Sequence, residues 1–304
     1  MNTTTLIIVT VEATWSVPFT DQRLGLTRIV VPLDGSELAR AALVPAKELA
    51  QRSGARLELL TTKVAEGPPE PTSFLDDIAD AIDGVELRTV IRVERDPVQA
   101  IDAVVNEDEP SALIVMSSHG RGRIRRSVLG STAELVVASG SAPAVVVGPA
   151  FKPDTFNPDG PILIAHDGDH EPDLDIVTRM AKTTSGQILI LAVSFSPSKS
   201  LASHRSAPEV PDPASACADQ LREMGFEVTT EHRQGPQTHK VIVDEAERLR
   251  ASYVAITSRA RTGARRAALG SVAAGVVRSS PVPVLITRSH YDRTDEQSPP
   301  PATQ

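Results

Sequence analysis

Short apolar runs alternate along this chain with segments that have helical spacing. The run 28–33 is followed by helical spacing from Ser36 to Arg52, which stops at Gly54. Further apolar runs lie at 57–62, 86–93, 112–116 and 144–147, with predicted helices at 74–82, 98–106 and 131–138 between them. Strands that are apolar throughout and separated by helices are typical of a parallel sheet covered on both faces.

The second half of the chain repeats this construction. Gly130, Ser131 and Pro143 recur as Gly270, Ser271 and Pro283, each 140 residues later. Apolar runs again predict five strands, at 162–165, 188–193, 227–231, 253–257 and 284–287. We therefore predict an α/β protein of two tandem doubly wound domains, each a five-stranded parallel sheet with helices on both faces.

The repeat also sets the predicted boundaries. The domains occupy 27–148 and 161–288, and a Pro- and Gly-containing linker covers 149–160. An extension covers 1–26, in which the β-branched run 3–11 is either an extra edge strand or an irregular segment. The tail 289–304 lacks an apolar pattern, so we expect it to be disordered.

Composition narrows the function classes. A formal net charge of -8 argues against general binding of nucleic acid. The single cysteine, Cys217, cannot form an internal disulfide, which favours a reducing compartment and a cytoplasmic protein. The N-terminal apolar run ends at Glu12 without a preceding Lys or Arg, unlike a signal peptide, and no segment is long and apolar enough for a membrane span.

The candidate chemistry lies where strands end. In open parallel sheets, ligands bind outside the carboxyl ends of strands, at the point where strand order reverses. Asp34 ends the first strand, and a Gly- and Arg-rich loop after the fourth strand ends at Gly130 and Ser131. Glycine permits close approach of backbone, and the amide groups at a helix start favour an anion. The loop adds Arg121, Arg123, Arg125 and Arg126. Together these features predict a nucleotide site.

Each feature also has a purely structural interpretation. Ser131 with Glu134 forms the pattern of a capping box, and Asp34 followed by Gly and Ser is ordinary turn chemistry. Arginines in a loop are usually solvated. Recurrence favours the functional interpretation, because the second half carries the same set: Asp167, Arg259, Arg261, Arg265, Arg266, Gly270 and Ser271.

These residues resemble the universal stress protein family in its tandem-domain form, over about residues 27–148 and 160–288. The resemblance implies a strand order of 3-2-1-4-5 in each domain. The family signature is Gly, two residues, Gly, nine residues, Gly and Ser or Thr. The first half keeps this spacing with Ser117, Gly120, Gly130 and Ser131, so only the first glycine is replaced. The second half has Thr257, Ala260, Gly270 and Ser271, so both early glycines are missing.

The resemblance implies ATP, together with Mg, as the ligand. Adenine and ribose would lie against Pro32, Leu33, Asp34 and Thr62, and the ribose and inner phosphates against Ser117, His119 and Gly120, with Arg121 and Gly122 beside them. The outer phosphates would lie at Gly130, Ser131 and Thr132. The corresponding set in the second half is Asp167, Val193, Gly270, Ser271 and Val272. We expect no catalytic residue and no protein-held metal.

The missing glycines predict that the halves differ. If position 260 requires a left-handed backbone, Ala260 costs roughly 1 to 2 kcal/mol, and the Cβ of Thr257 adds crowding. Binding would then weaken by roughly tenfold to several hundredfold. We therefore expect the first half to bind ATP, and the second to bind poorly or to serve as a structural partner.

Other chemistries fit less well. His166, Asp167, Asp169 and His170 are potential metal ligands, but neighbours on one turn seldom converge on a metal. The chain has no Gly-x-Ser-x-Gly elbow and no Walker loop, and Cys217 lies in an Ala-rich helical pattern typical of a buried small residue. The leading hypothesis is an ATP-binding regulatory protein of a stress or growth-arrest response that is not an enzyme. A nucleotide-free interaction scaffold and a slow ATPase stay open.

The family resemblance also implies how the halves assemble. Fifth strands commonly pair in this family, so the segments at Val145 and Val284 would join the halves into an intramolecular pseudo-dimer. Two chains would then pair into a homodimer, since strand edges rich in Val expose ladder groups. The protein partner is not indicated by the sequence.

Overall fold

The computed structural model describes residues 7–9, 25–63, 73–107, 112–119, 129–167, 172–195, 213–258 and 269–288. The first half contains strands β1 (Ile7–Val9), β2 (Arg28–Pro32), β3 (Arg56–Lys63), β4 (Leu87–Val93), β5 (Ala112–Ser117) and β6 (Ala144–Val147). Its helices are α1 (Glu37–Arg40), α2 (Leu43–Ser53), α3 (Ser73–Asp80), α4 (Pro97–Val105) and α5 (Ser131–Ser139).

The second half repeats the alternation. Its strands are β7 (Ile162–His166), β8 (Gln187–Phe195), β9 (Glu227–Gly235), β10 (Tyr253–Ser258) and β11 (Val284–Arg288). Its helices are α6 (Leu174–Ala181), α7 (Pro213–Glu223), α8 (Thr238–Leu249) and α9 (Ser271–Ser279). No helix within the described ranges is long and apolar enough to cross a membrane.

The described strands form one sheet of order β1-β4-β3-β2-β5-β6-β11-β10-β7-β8-β9. Counted from β2, the first half has the predicted order 3-2-1-4-5, and the second half mirrors it from β11 outward. Neighbouring strands within each half are parallel, apart from β1, which pairs antiparallel with β4. The predicted fold class is confirmed.

The two halves meet at β6 and β11, which pair antiparallel. Val146 lies opposite Val284, Val145 opposite Leu285, and Ala144 opposite Ile286, with these side chains buried. This seam is the fifth-strand pairing that the family resemblance implied. It makes a single sheet run through both halves.

Successive strand residues point to opposite faces, so the sheet has a core on each side. The core on one face includes Ile29 and residues of α2, α6 and α7. The core on the other face includes Val30 and residues of α4, α5, α8 and α9. The carboxyl ends of the parallel strands and the starts of the following helices therefore meet at one edge of each half.

Helical spacing over 36–52 predicts one helix, but the structure divides it into α1 and α2. Pro45 explains the break: it has no N–H, and in a continuous helix its ring would press on the carbonyl of Ala41. The N-terminal run, for which two interpretations were open, contains the edge strand β1. The remaining residues of 1–24 and the tail 289–304 lie outside the described residues.

The connection 149–160 is packed against the second half. It includes a 3-10 turn at Pro153–Thr155. Phe151 contacts Phe156 edge to face at 5.9 Å between ring centroids, and Phe156 contacts Tyr253 in the same way at 5.8 Å. The side-chain amide of Asn157 also donates to the Arg250 carbonyl at 2.9 Å.

Candidate functional site

Asp34 stabilises the turn that follows β2. Its Oδ1 accepts the Ser36 N–H at 2.9 Å, and the Ser36 hydroxyl caps α1 by accepting the Ala39 N–H at 3.2 Å. Leu33 is buried, with its N–H bonded to the Leu60 carbonyl at 2.7 Å. The structural interpretation of Asp34 is therefore correct for the turn. Its half-exposed position at the carboxyl edge is also compatible with a ligand.

The two ends of the loop after β5 are joined by hydrogen bonds. Gly130 N–H donates to the Ser118 carbonyl at 2.7 Å. The Ser118 hydroxyl and His119 Nδ1 are 2.9 Å apart, and His119 N–H donates to the Ser117 hydroxyl at 3.4 Å. These bonds place the start of α5 beside the end of β5. Ser117, His119 and Gly130 are thus brought together at the carboxyl edge of the sheet.

The capping-box interpretation of Ser131 and Glu134 is wrong. The N-cap of α5 is Gly130, so Ser131 is already helical, and the Glu134 N–H bonds the Gly130 carbonyl at 2.9 Å. No described side chain caps the start of α5 or of α9, whose N-cap is Gly270. The first-turn amide groups of both helices therefore point toward the edge without a side-chain acceptor, as an anion site requires.

The two N-cap glycines have different roles. Both have a negative φ, -65° for Gly130 and -57° for Gly270, so neither is required by a left-handed backbone. A Cβ at Gly130 would lie 3.3 Å from the Ser118 carbonyl oxygen, which is a tight contact. A Cβ at Gly270 would meet nothing within 4 Å. Close packing explains the glycine in the first half only.

A cavity of about 330 Å³ opens at the carboxyl edge of the second half. It lies beyond the ends of β7, β8 and β10 and is closed by the starts of α8 and α9. All five residues predicted for the second half line it: Asp167, Val193, Gly270, Ser271 and Val272. The other lining residues are Ala165, His166, Leu191, Thr238, Ile242, Ile256, Thr257 and Ala273.

The lining divides into an apolar part and a polar part. Leu191, Val193, Ile242 and Ile256 supply aliphatic surface, which suits a planar ring. Polar groups come from Asp167, Thr257, Ser271 and the first turn of α9, where a carboxylate can accept sugar hydroxyls and amide groups can bind an anion. This combination matches the three parts of a nucleotide.

Sequence reasoning missed the contribution of α8. Thr238 and Ile242, one turn apart on that helix, form one wall of the cavity. The available signal was position, because α8 begins directly after the third strand of its half and thus at the carboxyl edge. His166, a potential metal ligand by sequence, also lines the cavity.

Several predicted residues lie outside the described residues: Gly120, Arg121, Gly122, the other loop arginines, Ala260, Asp169 and His170. Pro32, Thr62 and Thr132 are described and half-buried. Within the described part of the chain, no three His, Cys, Asp or Glu side chains are grouped as a metal site would require.

The strand order and the helices on both faces define a pair of doubly wound α/β domains. The model of the universal stress protein family matches residues 25–148 and 160–288. The chain therefore belongs to the universal stress protein family, with two family domains in tandem.

Solved structures share this architecture. A protein of Pseudomonas aeruginosa UCBPP-PA14 assigned to the universal stress proteins is 21% identical, with a TM-score of 0.62, covering 89% of this chain and 96% of its own. A universal stress protein of Archaeoglobus fulgidus DSM 4304 is 20% identical, with a TM-score of 0.60, covering 86% and 98%. A functionally unknown protein of Pseudomonas aeruginosa PAO1 is 18% identical, with a TM-score of 0.59, covering 90% and 98%. At such identities the likeness establishes the fold. No curated protein matches the sequence significantly.

Proposed function

We propose that this protein binds ATP and acts as a regulatory nucleotide-binding module in a stress or growth-arrest response. Family membership supports a stress-related role. The observation that carries the finer proposal is the cavity of the second half, where a carboxylate, an aliphatic slot and the start of α9 converge. The first half has the same strand ends and a helix start of the same kind.

In the second half, the adenine ring would lie in the aliphatic slot formed by Leu191, Val193 and Ile242. The ribose hydroxyls would donate to Asp167, and the phosphates would accept the first-turn amides of α9. Mg would accompany the phosphates. Each group in this arrangement would bind one part of the nucleotide. The function is therefore binding, in a cytoplasmic protein that we expect to form homodimers.

The first experiment is mass spectrometry of the purified, denatured protein, with an adenine nucleotide as the expected co-purifying species. Calorimetric titration with Mg-ATP follows. Absence of nucleotide together with no heat of binding would overturn the proposal in favour of a nucleotide-free scaffold. Phosphate release above that of a heat-killed sample would instead establish an ATPase.

Matched variants at the helix starts sharpen the titration. Ser131 and Ser271 are exposed first residues of α5 and α9. An Asp there favours the helix dipole but repels phosphate, so Ser131→Asp combined with Ser271→Asp should abolish ATP binding without loss of helix stability. The paired Ser→Ala variants are the control and should bind ATP nearly normally. Equal affinity of the Asp and Ala pairs would place the phosphates elsewhere.

A further inference from the structure

Helix α9 is held between two glycine contacts. On one side Gly275 faces α8, where an added Cβ would lie 2.6 Å from Cγ and 2.8 Å from Cβ of His239. On the other side lies Gly148, the residue that follows β6 in the first half. A Cβ on Gly148 would fall well inside contact distance of the Val277 carbonyl oxygen and 2.9 Å from its carbonyl carbon. The end of the first half therefore packs directly against the backbone of α9.

Position 148 requires glycine because there is no space for a side chain, and not because of its backbone angles. Gly148 does not have a positive φ, so alanine can adopt its backbone angles. Gly148 is buried, and Val277 is fully buried. The obstacle at Gly148 is backbone, which cannot rotate away as a side chain can. Adding one methyl group would therefore push α9 or the end of β6 out of place.

The other end of α9 forms part of the cavity. Its first three residues and its N-cap Gly270 all line it. Val277 is six residues after Ser271, so about 9 Å of helix joins the Gly148 contact to the start of α9 at the cavity. A shift at Val277 would therefore move the amide groups of Gly270 and Ser271.

We infer that Gly148 of the first half is a positioning residue for the binding site of the second half. It allows α9 to sit close to the seam and thereby places the helix start that receives the ligand's anionic group. The site in the second half is thus completed by the first half across the β6–β11 pairing. The inference rests on the proposed function for its ligand, but the positioning itself is a property of the chain.

The test uses Gly148→Ala in the full chain, with Gly160→Ala as the matched control. Gly160 is also buried, without a positive φ, and its added Cβ would lie 2.7 Å from the Ser252 nitrogen and 3.0 Å from the Ala251 carbon. It therefore produces a comparable backbone clash that does not touch α9. Each variant should be measured at a temperature equally far below its own midpoint of thermal unfolding.

Binding of Mg-ATP is measured in chains that also carry Ser131→Asp, so that only the second half binds the nucleotide. Gly148→Ala should weaken this binding by about tenfold, since misplacement of a binding group by about 1 Å is costly, and Gly160→Ala should not. In a Ser271→Asp background, Gly148→Ala should weaken the binding that remains less than it weakens binding by the second half. The two backgrounds separate the halves. This separation is needed because the Ser118 N–H donates to the Val147 carbonyl at 2.8 Å, which links the seam to the site of the first half as well. Equal effects of Gly148→Ala and Gly160→Ala in the Ser131→Asp background would overturn the inference.

A second arm needs no ligand. Backbone amide NMR shifts of Gly270 and Ser271 should change in Gly148→Ala and stay at their wild-type values in Gly160→Ala. If the unmodified chain does not bind ATP, the proposed function fails and this arm alone decides the inference. If Gly148→Ala does not fold, the Ser131→Asp chain is titrated with Mg-ATP instead. The Gly148 amide should then shift with the same midpoint as Gly270, and an unmoved Gly148 amide would overturn the inference.

Discussion

The two halves share a strand order but fill one interior position in opposite ways. Val30 lies four residues before Asp34 and pairs with Glu58. Leu163 lies four residues before Asp167 and pairs with Leu189. A fully buried carboxylate in the first half therefore stands where the second half has a leucine.

The carboxylate is accommodated by arginines. Arg28 donates to Glu58 through Nε at 3.2 Å and through a terminal nitrogen at 2.9 Å, and also to the Val104 and Glu107 carbonyls at 2.8 and 2.7 Å. Arg56 and Arg88 lie 3.7 and 3.5 Å from the same carboxylate. Both halves form the same sheet because their strands share an apolar pattern. A single interior position can still hold a charged residue when an ion pair and hydrogen bonds satisfy its polar atoms.

The outer edges differ as well. In the first half, β4 is covered by the antiparallel strand β1. In the second half, no described strand lies beyond β9, whose exposed side chains include Glu227, His232 and Arg233. Charged side chains on an edge strand oppose pairing with other chains. One half thus protects its edge with a strand, and the other with charge.

The largest expected effect comes from breaking the buried ion pair. Glu58→Ala leaves Arg28 buried without its carboxylate, which should lower the free energy of unfolding by about 3 to 5 kcal/mol. Urea unfolding measures this loss. The control is Glu86→Ala, because Glu86 bonds Arg56 at 2.6 Å with its side chain 63% exposed, and its loss should cost less than about 1 kcal/mol. Similar losses from both variants would contradict the importance of burial.

The next effect concerns ligand binding by the two halves. Thr257 and Ala260 replace signature glycines in the second half, so we expect Ser131→Asp to reduce ATP affinity more than Ser271→Asp. The predicted difference is roughly tenfold to several hundredfold. Titration of each single variant with Mg-ATP measures it. The cavity around Gly270 gives the second half a place for the ligand, so equal losses from both variants would show that Thr257 and Ala260 do not weaken it.

A smaller effect is expected where the halves differ in an aromatic residue. Tyr253 of β10 pairs with Ile162, and Leu113 of β5 pairs with Ile29 at the corresponding position. Tyr253 is buried and packs against Phe156. Tyr253→Leu places the residue of the first half at this position and removes the edge-to-face contact. The free energy of unfolding should therefore fall by about 1 to 2 kcal/mol. Thermal unfolding of this variant and of Leu113→Ile, which conserves side-chain volume, checks the size of the effect. If Tyr253→Leu leaves the stability unchanged, the packing of the connection 149–160 does not depend on this ring.

Burial also raises the pKa of the Tyr253 phenol, since ionisation would place a charge in the core. The phenol should therefore stay protonated in the folded chain where an exposed tyrosine ionises. Ultraviolet titration follows this, with Tyr291 as the second tyrosine of the sequence. Two ionisations near the ordinary tyrosine value in the native protein would contradict it.

The sequence predicts what depends on local pattern and repetition. The strands follow from apolar runs separated by helices, their order follows from the family resemblance, and the candidate edge site follows from Asp34, Gly130 and their second-half counterparts. The break at Pro45 was missed because helical spacing continued through it. The pairing of Glu58 with Arg28 was beyond reach for a different reason: the two residues meet only through the register of β2 and β3. The cavity wall from α8 and the contact of Gly148 with α9 depend in the same way on how helices dock, which no local pattern specifies.

The smallest effect expected is a pH dependence that differs between two ion pairs. A hydrogen bond from Arg248 lowers the pKa of buried Glu245 in the second half, and one from Lys47 lowers the pKa of Asp83 in the first half. A lowered pKa gives stability that is present above the ordinary carboxyl value and is lost as the pH falls through the folded-state value. The stability that wild type has over Glu245→Gln should therefore shrink as the pH drops below about 4.3. For Asp83→Asn the same change should be smaller and should vanish at high salt, since Asp83 is exposed and screened by water. Thermal unfolding across this pH range compares the two, and a larger change for Asp83→Asn would mean that burial of Glu245 does not strengthen its bond to Arg248.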